Sequence, residues 1–240
     1  MPITLHTHAR LSCAVVVAFI VLLSSGCDKS NPVSEESSYQ DVNLLPMSTG
    51  RLWIFTAYEL DTTASQKITS TVHREVSYVA GTATVAGKPC FLMLDSIYTS
   101  SGTLAAVDSS YLAIENGDIF QWDQGHAIWL AMLKKSAGLN TEYSIAQYQE
   151  VHDGVAMSVT FKGKVTPAES VTAPIGTVQA YKVEVKVTAT IAGISYDAQT
   201  LYFYLADKYG QVRMYTPVQR EMGSSSKSKG EESLLVYKNF

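Results

Sequence analysis

The chain has 240 residues, 46% of them hydrophobic and 17% charged, with a net charge of −4 and a pI near 5.7. That hydrophobic share excludes a wholly disordered chain, and the acidic balance leaves no basic surface for a phosphate backbone, so no nucleic-acid partner is expected. Charge is scarce beside the roughly 25% of an ordinary soluble domain; 26 Ser and 21 Thr take its place, and three cysteines are too few for a disulfide scaffold.

Arg10 is the only charged residue before residues 11–23, which are apolar except for Ser12. This run is shorter than the roughly 20 residues of a bilayer crossing. A charged start, a short apolar run and small residues after it predict a secretory signal. Ser24, Ser25 and Gly26 lead directly into Cys27. The stretch resembles the lipobox of bacterial lipoproteins, with Ser24 standing where the family usually has Leu. That resemblance implies cleavage between Gly26 and Cys27 and acyl chains, palmitate among them, on Cys27. An ordinary cleaved signal with a chance Cys and an uncleaved anchor remain alternatives. Removing residues 1–26 takes away one Arg and no acid, so the net charge falls from −4 to −5. Cys13 leaves with the signal and lipidation consumes Cys27, so Cys90 has no disulfide partner and reads as a small buried hydrophobe. Residues 27–44 then read as the lipidated Cys and a flexible tether, rich in Ser, Asp, Asn, Pro and Glu. Asp28 resembles an inner-membrane retention signal of enteric bacteria. The reading prefers the outer membrane and leaves the leaflet open.

Residues 45–240 form one expected domain, dominated by period-two alternation. Ile68, Val72, Val76 and Tyr78 alternate loosely with Thr69, Thr71, His73, Glu75 and Ser77. Val155, Met157, Val159, Phe161 and Val165 alternate with polar residues, and so do Tyr181, Val183, Val185, Val187, Ala189 and Ile191. Such patterns predict antiparallel strands with one face on a core and the polar face in water. About ten strands are expected, near 51–60, 67–80, 89–98, 103–114, 118–123, 143–151, 154–167, 177–192, 195–206 and 210–217, with a last one near 233–238. Asn116-Gly117 is the strongest hairpin signal, and Ala86-Gly87, Asp153-Gly154 and Ala192-Gly193 are further turn candidates. The one helix candidate is 127–137, and residues 219–233 read as a flexible Ser/Lys/Gly loop.

Three stretches resemble a family of bacterial envelope lipoproteins that carry a TapB-like domain of unknown function. They are Leu45-Pro46 through Gly50 and Trp53; Pro174-Ile175-Gly176-Thr177 through Tyr181-Lys182; and Tyr204-Leu205-Ala206 through Gly210-Gln211-Val212-Arg213. Val178 and Tyr204 stand where that family usually has Phe and Trp. The resemblance implies an all-β fold: a single strongly curved antiparallel sheet, or an open half-barrel, with little helix.

Candidate chemistry is sparse. His73, His126 and His152 remain after signal removal, and no two have metal-ligand spacing, so neither a metal nor a cofactor is expected. Nucleophile-elbow, P-loop and dinucleotide-binding patterns are absent. Ser224-x-x-Lys227 matches a nucleophile motif inside a serine-rich tract, where chance matches are common. Glu115, Asp118 and Asp123 flank one hairpin and read as solvated carboxylates. Trp53, Trp122, Trp129, Tyr181 and Tyr204 are the candidate core or ligand-contacting aromatics. Trp122 and Trp129 bracket a segment that reads as a core crossing or as a lid over an apolar interior. No catalytic residue is assigned and no enzyme is expected. The reading is a lipid-anchored envelope protein that binds an apolar or lipid ligand. The alternatives are an assembly protein acting through protein contacts and, third, a hydrolase.

Overall fold

The computed structural model describes residues 39–152, 155–220 and 226–240. The expected signal at 1–26, the Gly26–Cys27 junction, the first part of the tether, the Asp153-Gly154 turn and Ser224 lie outside the described residues.

The strands are β1 (Leu52–Leu60), β2 (His73–Val85), β3 (Lys88–Tyr98), β4 (Leu104–Glu115), β5 (Asp118–Asp123), β6 (Ile128–Leu133), β7 (Glu142–His152), β8 (Val155–Ala173), β9 (Gly176–Ile191), β10 (Ile194–Ala206), β11 (Gly210–Thr216), β12 (Gln219–Arg220), β13 (Lys227–Ser228) and β14 (Gly230–Lys238). Twelve of them make one antiparallel sheet in the order β6-β5-β4-β3-β2-β1-β14-β11-β10-β9-β8-β7, while β12 and β13 pair separately. The sheet curls until its two edges, β6 and β7, face each other, so it is a nearly closed barrel. Ala86-Gly87, Asn116-Gly117 and Ala192-Gly193 each place both turn residues at positive φ (48° and 78°, 53° and 84°, 49° and 81°). This is the turn geometry whose twist matches that of paired strands.

Two segments differ from the sequence expectation. Residues 127–137 form β6 and a 3-10 turn, Lys135–Ala137, rather than a helix. Leu130, Ala131, Met132 and Leu133 are all buried in succession, which suits an edge strand covered on both faces and not a one-sided helix. The loop expected to last until residue 233 ends at Gly230, where β14 begins. Glu232 and Ser233 are buried there, opposite Tyr58 and Ala57 of β1.

The barrel has two unlike ends. Where β1 starts, the interior is packed solid by Trp53, Phe55, Val79, Met93, Leu112, Leu133, Leu205 and Leu235. A strap covers this end: Tyr39, Leu44 and Leu45 are buried, and the Tyr39 ring lies 5.0 Å from that of Tyr181. Lys135 Nζ donates to the carbonyls of Gln40 and Val42, the latter at 2.7 Å, and Asn43 N donates to Asp207 Oδ1 at 2.8 Å. The packed domain therefore includes residue 39, and the stretch 39–44 is strap rather than tether. The opposite end carries the β3–β4, β5–β6, β7–β8 and β9–β10 turns.

Edge closure depends on side chains. Tyr143 of β7 lies over Gly163 of β8, and its hydroxyl donates to Met132 O of β6 at 2.9 Å. A Cβ on Gly163 would stand 2.3 Å from the Tyr143 ring. Gly163→Ala should therefore displace Tyr143 and cost about 1–3 kcal/mol as overpacking. Each kcal/mol corresponds to roughly 2–4 °C in Tm. Thermal unfolding followed by circular dichroism checks this, with the exposed Ser144→Ala as the neutral comparison.

Candidate functional site

The inner wall at the end that the strap leaves uncovered divides into two halves. On β8 and β9 it is apolar: Met157, Val159 and Phe161 share a face with Val187 and Ala189 across the pairings Phe161–Val187 and Val159–Ala189. On β14, β1, β2, β3 and β4 it is polar. The inward register runs Glu231–Glu59 and Ser233–Ala57–His73, then Phe55–Glu75 and Ser77–Asp95–Asp108. Val79 and Met93 lie further along the same inward face and are fully buried.

This corrects the face assigned to β2 from sequence. His73, Glu75 and Ser77 were expected in water, with Val76 and Tyr78 on the core. Instead Glu75 and Ser77 are buried while Tyr78 is exposed. The alternation is real, but this barrel interior is itself polar, so the usual rule for choosing the inward face inverts.

His73, Glu75 and Glu231 form a convergent group whose ligand-capable atoms all lie within 4.8 Å of one another. His73 Nδ1 lies 3.2 Å from Thr71 O. A carbonyl only accepts, so Nδ1 carries the proton and Nε2 faces Glu75 Oε1 at 3.5 Å and Glu231 Oε1 at 3.7 Å. Ser233 Oγ donates to Glu75 Oε2 at 2.7 Å. The hydrogen bond to Glu75 lifts the His73 pKa to about 9 against the opposing pull of burial, with help from the Thr71 carbonyl and Glu231. Burial first, then the Glu75 and Glu59 charges, push Glu231 up to about 7. Asp95, which accepts from Ser77, is also lifted to about 7, by burial and then by Glu75 and Asp108.

A second group spans the edge between β5–β6 and β7. Asp123 Oδ1 accepts from the backbone N–H of Gly125 (2.8 Å) and of His126 (3.3 Å). Asp123 Oδ2 accepts from His126 Nδ1 (2.7 Å) and from Tyr148 OH (2.9 Å). The His126 and Tyr148 rings stack at 3.8 Å, and His126 Nε2 lies 3.7 Å from Glu150 Oε1. Burial works against the Asp123 carboxylate, yet the His126 and Tyr148 bonds outweigh it and lower its pKa. Burial and Asp123 together raise that of Tyr148. This arrangement brings an Asp, a His and a Tyr together, as a hydrolase reading requires. However, Tyr148 donates to the carboxylate and not to the imidazole, and Nε2 faces Glu150 where a nucleophile would be needed. The group works as a clasp across the barrel edge.

The other residues singled out from sequence lie apart from both groups. Trp53 and Tyr181 are buried in the covered end, against Phe240 and Tyr39. Tyr204 lies across the sheet from Phe203 and Leu205, under the Arg213 guanidinium at 5.0 Å. Trp122 and Trp129 pair across β5 and β6 on the face opposite Gln121 and Asp123, half-buried, 5.4 Å apart. They do not line the interior. Glu115 pairs with Lys88 at 2.6 Å, and Asp118 accepts from Ser136. Cys90 is buried and free, and burial raises its pKa. Sequence reasoning missed Glu75, Glu231, Asp95, Tyr148 and Glu150. For the first there was a signal, since His73 and Glu75 are two apart on a strand and so share a face.

No family model matches the chain, and no curated protein does. The fold does match solved structures. One, described as a "putative lipoprotein from Parabacteroides distasonis ATCC 8503", covers 82% of this chain and 99% of its own at 13% identity, with a TM-score of 0.51. Another, a "putative exported protein with YmcC-like fold" from Bacteroides fragilis, covers 81% and 98% at 12% identity, with a TM-score of 0.45. Among the described residues no helix is long and apolar enough to cross a membrane.

The two carboxylates should respond to pH with opposite sign. Asp95 has its folded pKa raised from 3.8 to about 7, so its contribution to stability declines as pH rises through that window. Asp95→Asn should raise Tm at pH 8 by roughly 2–8 °C and change it little near pH 4. Asp123 has its folded pKa lowered from 3.8, so it stabilises above that value and less as pH falls through its folded pKa. Asp123→Asn should lower Tm at pH 7, with the deficit closing in acid. Melts of both variants across pH check the pair.

Proposed function

We propose that this chain is a lipid-anchored protein of the bacterial envelope, held by acyl chains on Cys27, that binds an amphiphilic ligand in the uncovered end of its barrel without catalysing a reaction. The observation that carries the reading is the divided inner wall. Met157, Val159, Phe161, Val187 and Ala189 face a half bearing Glu75, Asp95 and Glu231. Val159 and Phe161 are only partly buried although they face inward. A twelve-stranded barrel is also wider than the eight-stranded kind that side chains alone just fill. An apolar chain laid on β8 and β9 would complete their burial, and a polar head would meet the carboxylate half. The fold likeness to the Parabacteroides protein and the TapB-like resemblance of residues 45–240 support the envelope setting.

The exposed apolar rim favours a second reading, docking to an assembly partner. Of the eleven large apolar side chains exposed among the described residues, seven lie near the uncovered end: Leu104, Val107, Ile128, Val151, Val155, Ile194 and Tyr196.

Two measurements test the first reading. Globomycin should block maturation of the wild type, and Cys27→Ser should yield a chain lacking acyl groups by mass spectrometry. An unchanged mass would end the anchor assignment. Titration of the purified full-length protein in detergent-free nanodiscs with a fluorescent fatty-acid probe should show saturable binding. Phe161→Ser should weaken that binding about tenfold or more, the value of one buried aromatic contact. Equal binding by both would sink the pocket.

A further inference from the structure

We infer that His73, Glu75 and Glu231 form a binding site for one divalent transition ion, of the zinc class, set in the polar half of the barrel interior. The assignment does not rest on the amphiphile reading.

Three features carry it. First, the spacing is that of a coordination sphere. His73 Nε2 lies 3.5 Å from Glu75 Oε1 and 3.7 Å from Glu231 Oε1. Four ligands at zinc–nitrogen and zinc–oxygen distances of about 2.0–2.1 Å stand about 3.3 Å apart in a tetrahedron. Contractions of a few tenths of an ångström on the two His73 contacts, with a closer approach of the two carboxylates, which start within 4.8 Å, bring these atoms onto an ion and leave a fourth position for water or a ligand atom from the barrel interior.

Second, two of the three ligands are held by outer partners in the manner of metal sites. Thr71 O accepts a hydrogen bond from Nδ1–H, which orients the ring and aims Nε2 inward. Ser233 Oγ, fully buried, holds one oxygen of Glu75.

Third, the remaining oxygen of Glu75 is only loosely held. The residue is 8% exposed. Its Oε1 shares a long hydrogen bond with the His73 ring nitrogen, at 3.5 Å, and the Glu231 carboxylate stands nearby. The nearby cations are engaged elsewhere: Lys229 with Glu59, and Lys67 and Arg213 with Glu232. The ring nitrogen in the set favours a borderline ion over Ca²⁺ or Mg²⁺, which take oxygen ligands.

The test uses the full-length protein, stripped with chelator and titrated with ZnCl₂ by calorimetry. One Zn²⁺ per chain is expected, weakened tenfold or more in Glu231→Gln and in His73→Ala. His126→Ala, which alters the separate Asp123 group, should bind as wild type does. A folded wild type that takes no Zn²⁺, or variants that bind it equally, would overturn the assignment. Should the variants misfold, wild type loaded with Co²⁺ decides alone. Strong visible bands of a four- or five-coordinate ion support the site, and the weak bands of the hydrated ion refute it.

Discussion

The architecture hangs on one seam. Eleven of the twelve junctions around the barrel are backbone ladders, while at β6–β7 the ladder stops and side chains take over. Tyr143 bonds Met132 O near the covered end, and Tyr148 and His126 both bond Asp123 near the mouth. Neutral hydrogen bonds contribute about 0.5–1.5 kcal/mol each and charged ones about 1.5–3. The seam is therefore weaker than any ladder of ten or more residues, and it is where sideways opening costs least. It also answers the problem of two free strand edges, which would otherwise be templates for pairing with another chain.

Closure at twelve strands sets the interior width, and the width forces the interior to be of two kinds. At one end large apolar side chains and the strap from Tyr39 fill it. At the other, inward positions of β14, β1, β2 and β3 carry carboxylates and hydroxyls. Carboxylates can then face inward provided each has a partner, and the partners are largely hydroxyls and one imidazole: Ser77 for Asp95, Ser233 for Glu75, His73 for Glu75 and Glu231. Part of the high Ser content thus serves the interior and not only the water-facing side of the strands.

Nearly all of the sheet was readable from residue order. Alternation, continuous apolar runs and turn signals together located every strand of the main sheet but β6, and the Asn-Gly and Ala-Gly pairs located turns that do adopt positive φ. β6 escaped because a run such as Leu130-Ala131-Met132-Leu133 has no period when both faces are covered. The β2 face was misassigned for a different reason. Hydrophobicity chooses the inward side only where the inner wall is apolar, and Glu75 faces inward on a wall that also carries Ser77, Asp95 and Ser233. The His73 group was only half legible. Residues 73 and 75 share a face by strand geometry, whereas Glu231 joins them through the β1–β14 pairing, a contact spanning more than 150 residues of chain. Asp123, His126 and Tyr148 come together for a similar reason: the barrel must first close before β7 stands beside the β5–β6 turn.

The strap ties the chain before β1 to the covered end of the barrel. Lys135, the one buried lysine among the described residues, satisfies its ammonium on the carbonyls of Gln40 and Val42. Burial lowers its pKa, while Asp41 and Asp207 hold it up. This lysine pins the incoming chain to the covered end of the barrel. Twelve chain steps lead from Cys27 to Tyr39, a reach of at most about 40 Å when fully extended. A strand of nine residues such as β1 already spans about 30 Å. An acyl anchor at Cys27 would therefore join the barrel at its covered end, on a tether whose full reach exceeds the length of β1. The divided wall, the His73 group and the apolar rim lie at the end away from that junction, and the β6–β7 seam runs the length between them.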